Sequence, residues 1–295
     1  MTLTPNQWIG IPIAILAAVL LALGAQLQHK GVGRVEADTA EIDTNPGLSP
    51  RQVLLLLARP SWLFGTIMLG LAIVFQLSSL YFSPIIVVQP LGAVALVVTA
   101  MVNSKVTKVK LDPKSIRAIA FCVGGVGLFV TFAAFTAKSS PISEAQLGVI
   151  LALLGIITMG LSLAFAFLRD KFKAIVYILG AGLLYGFVAT LAKVVIDRAK
   201  TGDFEWLTIT CIVALLAAAA LGGYFVQNAY SSGPPDLVIA GLTVVDPLVA
   251  VSIGIVVLQE AAGAPWWVAI IYVACAGLAV YGVFQLAKHH PQAQH

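Results

Sequence analysis

Asp246 is a carboxylate in the middle of an apolar run, and its neighbours are of a kind that could use it. Thr243 lies one turn before it and Pro247 follows it directly. Proline has no N–H and displaces the carbonyl four residues earlier, here that of Thr243. The carboxylate, the Thr243 hydroxyl and that carbonyl could share one helix face and hold a cation or a proton. A charged carboxylate at mid-bilayer costs roughly 2.5–3.5 kcal/mol on insertion scales, so it lines a cavity, pairs with a cation or is protonated. The plainer reading of Asp246 is a protonated side chain donating to a neighbouring helix.

The surrounding pattern occurs twice. Val87-Val88-Gln89-Pro90-Leu91 runs on to Ala93-Val94, and Val244-Val245-Asp246-Pro247-Leu248 runs on to Ala250-Val251. Gln89 is therefore the counterpart of Asp246, and Pro90 of Pro247. Gln89 is suited to bond a substrate or to bridge two helices. Paired Pro interruptions in the two halves of a duplicated membrane protein point to a binding site near the midplane. Further candidates lie on two small-residue stripes. One is Ala14, Ala18, Ala22, Gln26 and Lys30. The other is Gly182, Gly186, Thr190 and Lys193, with Tyr185 beside it. Such stripes usually mean close helix packing. Facing a cavity, they would add Gln26, Tyr185 and Lys193 to the site. Lys193 is also close enough to a helix end to snorkel to the headgroups. Gln76, Gln227 and Asn228 read as interhelical glue.

The elements that must position these groups are membrane helices. A soluble domain is about 45–50% apolar and about 25% charged. This chain is 60% apolar and 10% charged, with a mean hydropathy of +0.98. Nine windows suit a bilayer span of about 20 residues: Ile9–Gln28, Trp62–Tyr81, Ile85–Asn103, Ile116–Ala137, Gln146–Leu168, Ala174–Ile196, Trp206–Asn228, Leu237–Leu258 and Trp266–Ala287. The first carries no Lys or Arg before it and is long for a signal peptide, so it reads as a retained helix. Leu54–Leu57 is too short to span and reads as an interfacial or re-entrant piece; as a span it would make ten. Four of the 17 Lys and Arg residues, Lys138, Lys193, Arg198 and Lys200, fall on one side and the other 13 on the opposite side. Basic residues favour the cytoplasm, so the N-terminus is expected outside and the C-terminus inside, in the inner (plasma) membrane.

Trp62 to Phe135 and Trp206 to Phe284 each hold three helices with matched Trp, Gln (76, 227), Tyr (81, 230) and Val-Val-x-Pro-Leu positions. The copies are five crossings apart and so have opposite topology. The expected fold is an all-α polytopic membrane protein of nine, possibly ten, transmembrane helices in inverted repeats. It forms one transporter domain over 1–295, with halves at about 1–138 and 139–295. Gly124, Gly125 and Gly127 in the fourth span, with Ala274, Ala276 and Gly277 in the ninth, read as close-packing surfaces between repeats or between the protomers of a homodimer.

Several classes are excluded or unsupported. The net charge of +4 is small and sits at span edges, which fits a lipid bilayer rather than nucleic acid. Cys122, Cys211 and Cys275 are far apart and read as membrane thiols. The acidic residues Glu36, Asp38, Glu41 and Asp43 read as a solvated loop, and Glu260 and Asp236 as interfacial. No nucleotide-binding, paired acidic metal or nucleophile motif is present, so neither enzyme nor cofactor is expected.

The assembled segments resemble the drug/metabolite transporter superfamily (EamA-like), and within it the NIPA-type magnesium transporter branch. They are Tyr81-Phe82-Ser83-Pro84 with Val87 to Ala93, Gly24 to Gly31, and Asn228-Ala229-Tyr230 onward to Asp246-Pro247. The resemblance implies a polytopic carrier of nine or ten helices and magnesium as cargo. Mg²⁺ keeps several waters and is usually held through one or two carboxylates. A single mid-membrane carboxylate suits a hydrated ion, a proton or an organic cation. The expected function is a secondary transporter with a midplane site between repeats, moving Mg²⁺ or a small organic metabolite. Asp246 is its candidate metal ligand. The alternatives are an exporter or flippase of lipophilic or lipid-linked metabolites, and a non-transporting scaffold for an envelope enzyme.

Overall fold

The structure, a computed structural model, describes residues 5–39, 58–107, 113–138, 141–168, 174–202, 205–232 and 235–288. The described residues are helical with no strand. The helices are α1 (Pro5–Thr39), α2 (Pro60–Phe82), α3 (Ile85–Leu91), α4 (Val94–Thr107), α5 (Pro113–Thr136), α6 (Glu144–Leu168), α7 (Ala174–Thr201), α8 (Trp206–Ser232), α9 (Pro235–Val256) and α10 (Trp266–Lys288). The short Leu54–Leu57 stretch lies outside the described residues.

Local sequence sets the helix ends. Pro5, Pro60, Pro113 and Pro235 each open a helix, where a missing N–H has no intrahelical partner to lose. Before α6, the Ser143 hydroxyl accepts the Gln146 N–H while the Gln146 side chain accepts the Ser143 N–H, a reciprocal capping box. Helix α7 stops at Gly202, whose φ of +79° is a left-handed cap that suits glycine.

Eight segments are long and apolar enough to cross a bilayer, with α3 and α4 together forming one, and α9 adds a shorter apolar stretch, Gly241–Val256. The chain is thus a multi-pass membrane protein, its helices matching the nine expected spans. Large apolar side chains such as Phe64, Ile156, Met159 and Phe167 point outward, where lipid rather than water is the solvent. Inside, Ile85, Ile86, Val87 and Val88 are fully buried together with Ile178, Leu184 and Leu191. A helix apolar on every side belongs in the centre of a bundle. Helix α3 occupies that place.

Packing repeats between the halves. Helix α1 lies along α2 as α7 lies along α8, α1 also meets α4 as α7 meets α9, and α5 joins α10. Helix α6 touches α7 and α8 only lightly and is mostly exposed. The pairing adds α1 and α7 to the three-helix copies read from sequence. The crossing α6 between two four-helix units reverses the second.

The α5–α10 seam explains some of the expected small-residue surfaces. A Cβ on Gly125 would stand 2.6 Å from the Ala279 nitrogen and 2.8 Å from the Cys275 carbonyl. One on Gly282 would collide with the backbone of Cys122. These glycines let two helices of one chain approach backbone to backbone. Gly124, Gly127 and Gly277 meet no neighbour.

Candidate functional site

The two signature prolines behave differently. Around Pro90 the helix tightens into i→i+3 bonds, with the N–H groups of Gly92 and Ala93 donating to Gln89 and Pro90 at 3.1 Å, and α3 ends. Pro247 sits inside an uninterrupted α9. The expectation of equivalent helix breaks is therefore met in the first half only. The cause is one residue: Gly92 follows Pro90-Leu91, whereas Val249 follows Pro247-Leu248. Glycine weakens helix continuation. Val249 continues it, and its side chain seats on Gly186, where a Cβ would come within 2.6 Å.

Gly182 and Gly186 let α7 close on α9 at the level of Asp246. A Cβ at Gly182 would meet Val245 at 2.6 Å, and one at Gly186 would stand 3.1 Å from the Asp246 carbonyl. This stripe is a packing surface. Tyr185 projects away from that contact and lies against α8, where a Cβ on Gly222 would approach its ring to 3.0 Å.

Between these helices is a cavity of about 400 Å³ lined by α1, α2, α3, α7 and α9, including Gln76, Gln89, Tyr185, Thr243, Asp246 and Pro247. Matched polar positions of the two halves, Gln89 and Asp246, thus face one space. One carboxylate oxygen of Asp246 is buried and has no hydrogen-bond partner. No side-chain hydrogen bond engages Gln76, Gln89 or Tyr185 among the described residues either. The Thr243 hydroxyl donates to the Ile239 carbonyl at 2.8 Å, which leaves its oxygen free to accept. Five oxygen-bearing side chains therefore line the cavity with acceptor capacity unused; for the buried Asp246 oxygen this is a condition seldom tolerated without water or a ligand.

The remaining candidates lie elsewhere. Pro90 turns into a separate apolar groove of about 200 Å³ with Val126, Phe129 and Tyr272, a groove that Thr243 and Pro247 also border. Gln26 on α1 is half-buried and lines neither space. Asn228 donates to the Tyr224 carbonyl of its own helix at 2.7 Å. Gln76, read as glue, faces the cavity instead.

Lys193 does not snorkel. It is 1% exposed. Its ammonium donates to the carbonyls of Leu80 at 2.9 Å and Ser83 at 3.4 Å and pairs with Asp197. Those carbonyls end α2, so the cation sits at the negative end of that helix. Held at the end of α2, it points into the bundle rather than out to the headgroups. Lys200 adds bonds to Asp197 and to the Tyr81 carbonyl and lies over the Tyr81 ring.

Glu260, expected at the interface, lies inside the fold and is 2% exposed. It accepts the N–H groups of Ile85 and Ile86 at the start of α3, and its own backbone bonds Gly254 and Lys138. A sequence signal was present: Pro84 precedes α3 and offers its first N–H groups no side-chain cap, so their acceptor comes from elsewhere in the fold.

No group of three or more His, Cys, Asp or Glu is placed to hold a metal ion among the described residues. A cation in the cavity would meet one carboxylate and neutral oxygens.

Comparison with known proteins places this arrangement. Residues 5–196 match the family model described as "Magnesium transporter NIPA". An uncharacterized protein of Corynebacterium glutamicum is 24% identical over 262 residues, covering 86% of each chain. No solved structure matches. The family match takes in Gln76, Gln89 and Tyr185 and ends before Asp246.

Proposed function

Because the chain belongs to the NIPA magnesium transporter family, we propose that it is a secondary transporter moving hydrated Mg²⁺ through the cavity shared by Gln89 and Asp246. The observation that carries the reading is the unpartnered, buried carboxylate oxygen of Asp246, opposite its sequence counterpart. Mg²⁺ dehydrates reluctantly and tolerates one or two carboxylates. Six waters occupy roughly 200 Å³ at about 30 Å³ each, which fits a cavity of about 400 Å³. Asp246 would supply charge, while Gln76, Gln89, Tyr185 and Thr243 would bond the ion's water shell. The whole chain would act as one transporter domain in the plasma membrane, N-terminus outside and C-terminus cytoplasmic, with the two four-helix units rocking about the site. The neighbouring apolar groove supports a second reading, export of a lipophilic or lipid-linked metabolite.

Proteoliposome uptake separates the two. Wild type should carry Mg²⁺, and Asp246→Asn should lower the rate at least tenfold while the protein stays folded. Transport of a lipophilic cation without Mg²⁺ flux would favour the second reading. An unchanged Mg²⁺ rate in Asp246→Asn would make Asp246 structural.

A further inference from the structure

At the opposite end of the bundle from Glu260, α5 and α10 border an open pocket of about 280 Å³ lined by Lys114, Arg117, Ala118, Phe121, Tyr281 and Gln285. Three observations make it unusual. Lys114 and Arg117 belong to the beginning of α5, which opens at Pro113 directly after Asp112 and has no acidic residue in its first turn. Neither cation pairs with a carboxylate among the described residues. The apolar floor is formed by Phe121 and Tyr281, ring centroids 5.7 Å apart in an edge-to-face contact. Both rings remain substantially exposed on the lipid side, Tyr281 at 51%.

Two exposed cations above an aromatic floor at a membrane face fit one ligand. We propose that this pocket binds the phosphodiester headgroup of an anionic membrane lipid. Arg117 offers a planar fork to phosphate oxygens and Lys114 a mobile charge. Basic pockets between transmembrane helices bind such headgroups on the cytoplasmic side. This end is also the basic-rich side of the chain, where Lys105, Lys108 and Lys110 precede the pair in sequence. The lipid's tails would descend along the face below. There Gly124, two turns beyond Arg117, and Gly277, one turn before Tyr281, leave open space beside the exposed Leu128. The bound lipid would then straddle the seam that joins the two four-helix units.

Native mass spectrometry of the full-length protein, released from nanodiscs of mixed phosphatidylglycerol and phosphatidylcholine, tests the assignment. Wild type should retain phosphatidylglycerol over phosphatidylcholine. The double variant Lys114→Gln, Arg117→Gln should lose that preference at least fivefold at an unchanged melting temperature, and Lys114→Arg should keep it. Should the double variant fold poorly, each single variant, at an exposed position, must still weaken retention. Equal phosphatidylglycerol retention in wild type and double variant overturns the proposal. Displacement of the lipid by millimolar inorganic phosphate would make the ligand free phosphate instead. A wild-type dimer that the double variant splits would make the pocket a contact between copies.

Discussion

Glu260 caps Ile85 from 175 residues away: its carboxylate accepts the Ile85 N–H at 3.0 Å and that of Ile86 at 2.9 Å. The joint between α2 and α3 is thus held by opposite charges from the second half of the chain. Lys193 binds the carbonyl end of α2, and Glu260 binds the N–H end of α3. Each charge faces the helix end of complementary sign. The arrangement clamps the first half's broken helix, which carries Gln89, to α7 and to the α9–α10 loop.

Glu260→Ala should destabilise the protein by about 3 kcal/mol or more, since two buried N–H groups lose their acceptor and the charge near Lys193 is removed. The pH dependence has a defined sign. Burial pushes the Glu260 carboxyl from 4.5 up to about 7, against the pull of the Ile86 and Ile85 N–H groups and of Lys193. The folded state then holds this proton more tightly than the unfolded chain. The contribution is fully present below about pH 4.5 and is lost as pH rises through about 7. Thermal melts in detergent should show Glu260→Gln losing less stability than wild type between pH 5 and pH 8. Parallel pH curves for the two proteins would contradict this.

Lys193→Met keeps the stem but removes the donor from Leu80 and Ser83 and leaves Asp197 to Lys200 alone. A loss of about 3 kcal/mol is expected, as for breaking a buried ion pair. Because Lys193 and Glu260 grip one joint, their effects should not add. A double-mutant cycle with Glu260→Gln should give a coupling of about 1 kcal/mol or more. Additivity within about 0.5 kcal/mol would mean that the two ends of the joint act separately.

Much of the architecture was legible because membrane spans declare themselves by length and apolarity. The pairing of Gln89 with Asp246 was legible too, since a duplicated pattern keeps its register. What the sequence hid depends on contacts across the fold. Glu260 and Lys193 stand near helix ends, where the common fate is the headgroup region. Only the approach of α2 and α3 buries them. Gln76 looked like glue because polarity alone does not tell a helix-facing amide from a cavity-facing one. The unequal behaviour of Pro90 and Pro247 was present in the residues, in Gly92 against Val249, but was masked by the identities around them.

Helix α7 meets α9 through glycine, and that contact sets the wall of the cavity. Gly186→Ala would bring a Cβ to 2.6 Å from Val249. It should cost about 1–3 kcal/mol as an overpacked contact and lower transport with it. Gly70 meets nothing within 4 Å. Gly70→Ala should be neutral or stabilising by up to about 1 kcal/mol, the ordinary helix preference. Melting temperatures of the two variants decide the matter. Equal effects would show that the cavity wall yields and that the glycine is not required.

The cavity reading makes a stronger demand than loss of function in Asp246→Asn, because a buried carboxylate can fail for structural reasons. Gln89 and Asp246 occupy matched positions of the two halves and line the same space. If a cation needs one negative charge there, the charge can come from either side. Gln89→Asp in an Asp246→Gln background restores the carboxylate while exchanging its helix. Asp246→Gln alone should reduce Mg²⁺ uptake at least tenfold, about 1.4 kcal/mol of barrier or more. The double exchange should recover a measurable part of it. Full recovery is not expected, since α3 ends just after Gln89 while α9 runs on unbroken past Asp246. Gln89→Asp in the wild-type background places two carboxylates in one cavity. It should bind a divalent cation more tightly and release it more slowly, lowering KM and kcat together. If the exchange recovers nothing while both single variants stay folded and correctly inserted, the charge is tied to α9. The carboxylate then serves that helix's own packing or movement rather than the shared cavity.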